Sequence, residues 1–228
     1  MRIYLSLVMF VCTLFVFPQQ QKRYFDTQID KHLRAYNRQS ETAIQNGDSE
    51  RAEFLYDSIF NNHLKSSYLR DFKMNKVNGG HFNTAKLDKP FLLVTKSAWE
   101  KIDEDEIKEI NRMSKMYKGQ VEIIILFWDT KLNAKARSKD YNSNVTITYI
   151  DERDNDANHI IRPFKHSFGA PACFFFSETK QLLKIDRKFA ISKPDAHSEI
   201  AFHVIHEDIK KMIFDDGPTQ EGMITTLQ

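Results

Sequence analysis

Two cysteines, Cys12 and Cys173, are the residues of this 228-residue sequence best suited to redox chemistry. A thiolate attacks disulfides and binds soft metals, but two thiols are too few for a disulfide-rich scaffold or an all-cysteine zinc site. Cys12 lies within an apolar N-terminal run, and Cys173 begins the apolar segment Cys173–Phe176. Because a free cysteine on an apolar strand behaves as a small hydrophobic residue, we expect Cys173 to lie in the core.

A second group with chemical potential is found near the C-terminus. His203, His206 and Glu207 have the i, i+3, i+4 spacing that can hold a metal ion on a helix. Their sequence HVIHE matches neither HExxH nor HxxEH. On a helical wheel His203 and Glu207 lie opposite the apolar stripe, which favours a solvated surface with charge pairing. That stripe consists of Ala201, Ile205, Ile209 and Met212. We therefore predict neither a metal nor a cofactor.

The composition excludes several classes of protein. Lys and Arg number 33 and Asp and Glu number 31, which gives a net charge of +2. A dedicated nucleic-acid-binding protein should carry a concentrated basic excess, so we predict no nucleic-acid partner. The hydrophobic content of 41% and the charged content of 28% are typical of globular proteins.

The first 20 residues resemble an export signal. After Met1-Arg2 an apolar run extends from Ile3 to Phe17 and ends at Pro18. This length fits a secretory signal better than a membrane span of about 20 residues. No pair of small residues marks a cleavage site, so residues 1–20 are either a signal peptide or an uncleaved anchor. We expect a periplasmic or cell-envelope protein that contacts a membrane only through this segment, if it is retained. Removal of the segment would also remove Cys12 and leave no internal disulfide.

The rest of the chain must position any functional residues, and its pattern changes near residue 68. Residues 22–67 have helical periodicity with a break at Asn46-Gly47-Asp48, which predicts a two-helix extension. Residues 68–214 alternate strands and helices, which predicts an α/β domain with parallel strand pairs. Asn78-Gly79-Gly80 is a strong hairpin signal near the start of this domain. Residues 215–228 have no pattern and are predicted to be a tail.

Four segments of this domain occur in an order that resembles a known family. They are the hairpin DFKMNKVNGGHFNTAKLDKP (71–90), the strand and loop FLLVTKSAW (91–99), the helix ending at Tyr117-Lys118-Gly119 with the strand VEIIILFWD (121–129), and Phe168-Gly169-Ala170-Pro171 before ACFFF (172–176). The stretch from Asp71 to Phe189 resembles the thioredoxin fold, in particular the exported TlpA-like thiol–disulfide oxidoreductases of the redoxin family. The resemblance implies an α/β three-layer fold with a central mixed sheet, preceded here by an N-terminal β-hairpin and the two-helix extension. It also implies that Pro171 is the family's cis-proline beside the active site.

The sequence departs from this family at the redox motif. In the family a C-x-x-C motif follows the tryptophan that corresponds to Trp99. Here the four positions are Glu100, Lys101, Ile102 and Asp103. A carboxylate cannot form a mixed disulfide, so the dithiol cycle has no chemical basis at these positions. The acidic residues Glu100 and Asp103–Glu106 instead favour the positive end of a helix, which predicts a well-capped helix start. We predict no catalytic residue.

Three functions remain open. The first is a non-catalytic binding or scaffold protein, in which Trp99, Glu100, Ala170 and Pro171 line the groove that grips an extended peptide in the family. Its partner would be an extended peptide or protein of the cell envelope, held in the manner of an added β-strand. The alternative is a thiol–disulfide oxidoreductase of the envelope that acts through an unrecognised site. In the third, the helical extension docks a partner and the thioredoxin-like domain supports it.

Overall fold

A computed structural model describes residues 22–101, 103–153, 158–168, 171–187 and 197–214, except for the side chains of residues 158, 166, 197–204 and 214. The α-helices within these ranges are α1 (Phe25–Gln45), α2 (Ser49–Ile59), α3 (Glu104–Met116), α4 (Lys131–Arg137), α5 (Asn158–Ile161) and α6 (His197–Phe214). Single π-helical turns follow α2 at Phe60–Leu64 and α5 at Arg162–His166. None of the helices in the described ranges is both long and apolar enough to cross a membrane.

The described strands form one mixed sheet. They are β1 (Lys73–Lys76), β2 (His81–Asn83), β3 (Phe91–Lys96), β4 (Glu122–Trp128), β5 (Val145–Ile150), β6 (Ala172–Phe176) and β7 (Leu182–Asp186). Their order is β2-β1-β5-β4-β3-β6-β7, with parallel pairing of β4 to both β3 and β5 and antiparallel pairing elsewhere. The central strands β3 and β6 are buried at every position, which explains why they are apolar almost throughout rather than alternating.

The hairpin predicted at Asn78-Gly79-Gly80 is confirmed as the β1–β2 connection. Gly79 and Gly80 have φ angles of +96° and +73°, in the left-handed region that glycine adopts without steric cost. The backbone N–H of Lys76 donates to the carbonyl of Gly80 and closes the turn. The apolar segments 173–176 and 182–185 also predict a closing antiparallel pair, and β6 and β7 pair in this way.

Helices cover both faces of the sheet, and each face has its own hydrophobic core. On one face α1, α2 and the π-helical turn after α5 contribute Phe25, Ile59 and Phe164 to the packing against β3, β4 and β6. On the other face α3, α4 and α6 contribute Ile110, Ala134, Ile209 and their neighbours. This arrangement of helix, sheet and helix is the three-layer α/β fold with a mixed central sheet that the sequence predicts.

The two-helix extension shares its core with the sheet. The ring of Phe25 lies 5.5 Å from that of Phe164 and 6.1 Å from that of Phe174, between centroids. In α2, the Tyr56 hydroxyl donates to the carbonyl of Ile185 in β7 at 2.8 Å. The guanidinium of Arg187 lies 3.5 Å from the centroid of the Tyr56 ring. Burial raises the pKa of Tyr56 to about 12. Removal of α1 and α2 would therefore expose apolar surface of the sheet layer.

One short helix was not predicted, and another is shortened as expected. The helix α4 lacks a clear signal because it is short and has a single buried apolar position, Ala134. The sequence also predicts a helix over about residues 155–166 that Pro163 kinks or shortens; it is described from Asn158, and its regular part ends at Ile161 before a π-helical turn. Pro163 lies in that turn and has no N–H to donate, which disfavours a regular α-helix at this point.

Candidate functional site

The candidate site lies where β3 ends, between Lys96 and the start of α3. Thr95 pairs with Ala172 in the antiparallel register of β3 and β6, and the Thr95 hydroxyl donates to the Ala172 carbonyl at 3.3 Å. Continuing this register by one position puts Pro171 beside Lys96. The sheet therefore brings Pro171 to the same end of β3 as the loop that contains Trp99, as the proposed groove requires. Ala170, the other residue predicted to line the groove, lies outside the described residues.

A tight turn from Ser97 to Glu100 carries Trp99 at its exposed tip. The backbone N–H of Glu100 donates to the Ser97 carbonyl at 3.1 Å, and the backbone N–H of Ser97 donates to Glu100 Oε1 at 2.9 Å. A guanidinium N–H of Arg137 donates to the Glu100 carbonyl at 2.7 Å. The Trp99 side chain is not packed into the core, because this residue is 82% exposed.

Asp103, rather than Glu100, caps the helix that follows. Its Oδ1 accepts hydrogen bonds from the backbone N–H groups of Asp105 and Glu106, both at 3.1 Å. The helix begins at Glu104, so the expectation that Glu100 lies at the helix start is wrong. The Glu100 carboxylate instead accepts a hydrogen bond from the backbone N–H of Ser97, at the start of the Trp99 turn. Lys101 is exposed, and Ile102 lies outside the described residues.

A buried ion pair lies beneath this loop. Lys96 Nζ is 2.6 Å from Glu106 Oε1, and the two side chains are 7% and 2% exposed. Burial raises the pKa of the Glu106 carboxyl, and the Lys96 ammonium opposes this shift. The sequence predicts Glu106 only as one of the acidic residues at a helix start and gives no role to Lys96. The signal available was a lysine at the end of an otherwise apolar strand, followed ten residues later by a glutamate in a first helical turn.

The partly buried Tyr141 lies close to this pair. Burial raises the pKa of its phenol, and the nearby Glu106 carboxylate raises it further, whereas Arg137 lowers it. The same Arg137 donates to the Glu100 carbonyl, so one guanidinium contacts the loop and also lowers the pKa of Tyr141. The Glu106 carboxylate adds to the effect of burial in raising the pKa of the Cys173 thiol.

Cys173 lies in the core, as the sequence predicts. It is fully buried on β6, where it pairs with Val94 of β3. Burial raises the pKa of its thiol well above the ordinary value, so the nucleophilic thiolate is strongly disfavoured. Within the described residues it is the only cysteine, because Cys12 belongs to residues 1–21.

The histidines of α6 do not assemble a metal site within the described residues. No group of three or more His, Cys, Asp or Glu side chains is suitably placed there to hold a metal ion. Glu207 forms an ion pair with Lys210 at 2.9 Å, and a ring nitrogen of His206 is hydrogen-bonded to the Tyr117 hydroxyl. The His203 side chain lies outside the described residues. The buried stripe of α6 contains Ile205, Ile209 and Met212, as predicted.

Comparison with known proteins identifies the fold. No protein-family model and no curated protein matches the sequence. Among solved structures, a protein from Bacteroides thetaiotaomicron assigned as a protein disulfide isomerase matches with a TM-score of 0.50 and 13% identity, over 65% of this chain and 89% of that chain. The thioredoxin domain of a thiol–disulfide oxidoreductase from Bacteroides vulgatus matches with a TM-score of 0.50 and 9% identity, over 64% of this chain and 97% of that one. The chain therefore has a thioredoxin-like fold, and its structural neighbours include thiol–disulfide oxidoreductases.

Proposed function

We propose that this thioredoxin-fold protein is a non-catalytic member of its structural class that binds an extended segment of a partner in the cell envelope. The observation that carries the proposal is the state of the four positions after Trp99. The two that would hold the redox thiols are Glu100 and Asp103, and both carboxylates accept backbone hydrogen bonds. Thiol–disulfide exchange requires a thiolate that attacks a sulfur atom, and this loop has none.

The geometry that remains is suited to binding. Trp99 projects from a turn closed by hydrogen bonds, and large exposed aromatic side chains are frequent anchors of protein interfaces. Pro171 lies directly before β6. Because β3 and β6 are each paired on both sides, an approaching chain would pair with backbone outside these strands, between Pro171 and the Trp99 turn. An extended peptide could therefore bind through its backbone and place one apolar side chain against Trp99.

The envelope location rests on residues 1–20, which have the composition of a signal peptide or an anchor. A periplasmic or envelope compartment is also where extended, incompletely folded segments of exported proteins are available as partners. Fractionation of cells that produce the full chain tests the location, and recovery of the protein only with cytoplasmic markers would contradict it.

A peptide-display selection on the full-length protein tests the binding function. We expect enriched extended sequences with an apolar residue at a constant position. Trp99→Ala should weaken their binding by roughly 2 kcal/mol, about thirtyfold in Kd, as for a central aromatic anchor. Phe54→Ala is the matched control, because Phe54 is an exposed aromatic of α2. Loss of binding in Phe54→Ala but not in Trp99→Ala would assign the binding surface to the helical extension instead.

The second candidate is a thiol–disulfide oxidoreductase of the envelope. It is favoured by the structural neighbours that are thiol–disulfide oxidoreductases, but those matches at 9–13% identity establish the fold and leave the chemistry open. Insulin reduction with dithiothreitol separates the two functions. We expect the rate of the protein-free blank, because the Cys173 thiol is buried and protonated. Turnover well above that blank would overturn the first proposal.

A further inference from the structure

We propose that Glu100 and Arg137 are positioning residues that hold Trp99 in place for the partner. This inference rests on the proposed binding function and adds the device that makes the site rigid. Trp99 is 82% exposed, so it makes too little contact with the core to fix its own position. Its position must therefore come from the backbone on either side of it.

Three hydrogen bonds fix that backbone. Two of them connect Ser97 and Glu100 across the turn in both directions, one through the backbone and one through the Glu100 carboxylate. The third comes from the Arg137 guanidinium to the Glu100 carbonyl at 2.7 Å. A bond from a charged donor is stronger than one between neutral groups, so Arg137 is the main external restraint on this turn.

Arg137 can act in this way because α4 is itself fixed. The helix is capped by Thr130, which accepts a hydrogen bond from the backbone N–H of Asn133. The Asn133 amide also donates to Asp129 Oδ1 at 2.7 Å, directly after β4. In the middle of the helix Ala134 is fully buried against the sheet. The guanidinium thus connects the Trp99 turn to a helix packed on the central strands, which gives the short α4 a role.

A fixed turn favours binding because a turn that is already ordered loses little conformational entropy when the partner binds. The ligand class that fits is an extended peptide with a large apolar side chain, which would cover the exposed indole. If the turn were mobile, Trp99 would make the same contact, but the turn would lose conformational entropy on binding and the affinity would be lower. We call the hydrogen bonds that Glu100 and Arg137 make to this turn the clamp. Substitutions that remove one of these bonds should weaken binding even though Trp99 is unchanged.

The first test measures the turn without any partner. Heteronuclear 15N NOE values of the Ala98 and Trp99 amides should match those of β3 in the wild-type protein. They should fall to values typical of mobile loops in Arg137→Gln and Glu100→Ala. Glu100→Gln should keep the wild-type values, because its amide oxygen still accepts from the Ser97 N–H. Arg153→Gln is the control, because the guanidinium of Arg153 is engaged in an exposed pair with Asp151, two residues earlier in the chain.

The second test uses a peptide selected on the wild-type protein. Arg137→Gln and Glu100→Ala should weaken its binding about tenfold or more, the loss expected for one hydrogen bond to a charged group, whereas Glu100→Gln and Arg153→Gln should not. Unchanged NOE values in both Arg137→Gln and Glu100→Ala would overturn the clamp. Lower NOE values with unchanged affinity would overturn its role in binding. If no peptide is selected at all, the proposed function fails, and the NOE values still decide whether the clamp exists.

Discussion

The buried pair of Lys96 and Glu106 allows a stringent test of the site's energetics. At a separation of 2.6 Å and an effective dielectric constant of about 20, the Coulomb attraction of two unit charges is about 6 kcal/mol. Desolvation costs several kcal/mol for each ion, so the pair as a whole contributes little net stability. Removal of one partner is different, because it leaves the other charge buried without compensation.

We predict that Lys96→Met lowers the free energy of unfolding by about 3–5 kcal/mol at pH 7–8, and that Glu106→Met has a similar effect. The double variant Lys96→Met/Glu106→Met should return to within about 1 kcal/mol of the wild type, because two unbranched apolar side chains fill the same space without a charge. Urea unfolding followed by far-UV circular dichroism measures these values, provided that the m-values agree. Lys108→Met is the control for an exposed pair with Asp105 and should change stability by less than about 0.5 kcal/mol.

The pH dependence of the single variant provides a second criterion. A carboxyl whose pKa is raised in the folded state binds its proton more tightly there than in the unfolded chain. Stability is therefore lost as the pH rises from the ordinary Glu value of 4.5 through the raised pKa of Glu106. In Lys96→Met the opposing ammonium is absent, so the penalty should grow with pH and be smallest near pH 5. Additive single variants, or a Lys96→Met penalty that does not depend on pH, would refute this account of the pair.

Three further predictions concern the core and the extension. Phe25→Ala should destabilise the protein by about 3–5 kcal/mol in urea unfolding, because Phe25 is a fully buried ring of the shared core, and a loss below about 1 kcal/mol would indicate that the extension is not docked. The rings of His32 and His63 stack at 3.6 Å, and burial together with the charges of His63 and Lys31 lowers the pKa of His32. The unfolded chain then binds more protons, so thermal stability should fall as the pH drops below about 6.5, and His32→Asn should flatten this slope if the pair is responsible. Cys173 should resist maleimide in the native protein and react after unfolding, as read by mass spectrometry of its peptide; rapid native labelling would contradict its burial.

Much of the fold follows from local sequence patterns. The hairpin at Gly79-Gly80 is predictable because the positive φ angles there favour glycine. The strand β4 is predictable because its apolar run is continuous and has the length of a single buried strand. Short elements were harder to predict. The helix α4 has seven residues and one buried side chain, so it lacks the repeated apolar spacing from which helices are recognised. Its existence depends on packing against the sheet.

The amino-acid types in this loop already exclude thiol chemistry there. Residue identity alone shows that positions 100–103, after Trp99, are Glu, Lys, Ile and Asp, and that Cys173 belongs to an apolar segment. No folding step can supply a sulfur atom to positions that have none, so the absence of a dithiol in this loop could be read directly from the chain.

The polar contacts that form at this site instead depend on the three-dimensional packing of the chain. The Lys96–Glu106 pair joins residues ten apart, and the bond from Arg137 to Glu100 joins residues 37 apart. The local pattern marks Lys96 and Glu106 as unusual, but whether such residues meet depends on how the helices pack on the sheet. Whether Glu100 caps a helix or closes a turn was decided in the same way, because both roles suit a carboxylate and the choice depends on which N–H groups the fold brings near it.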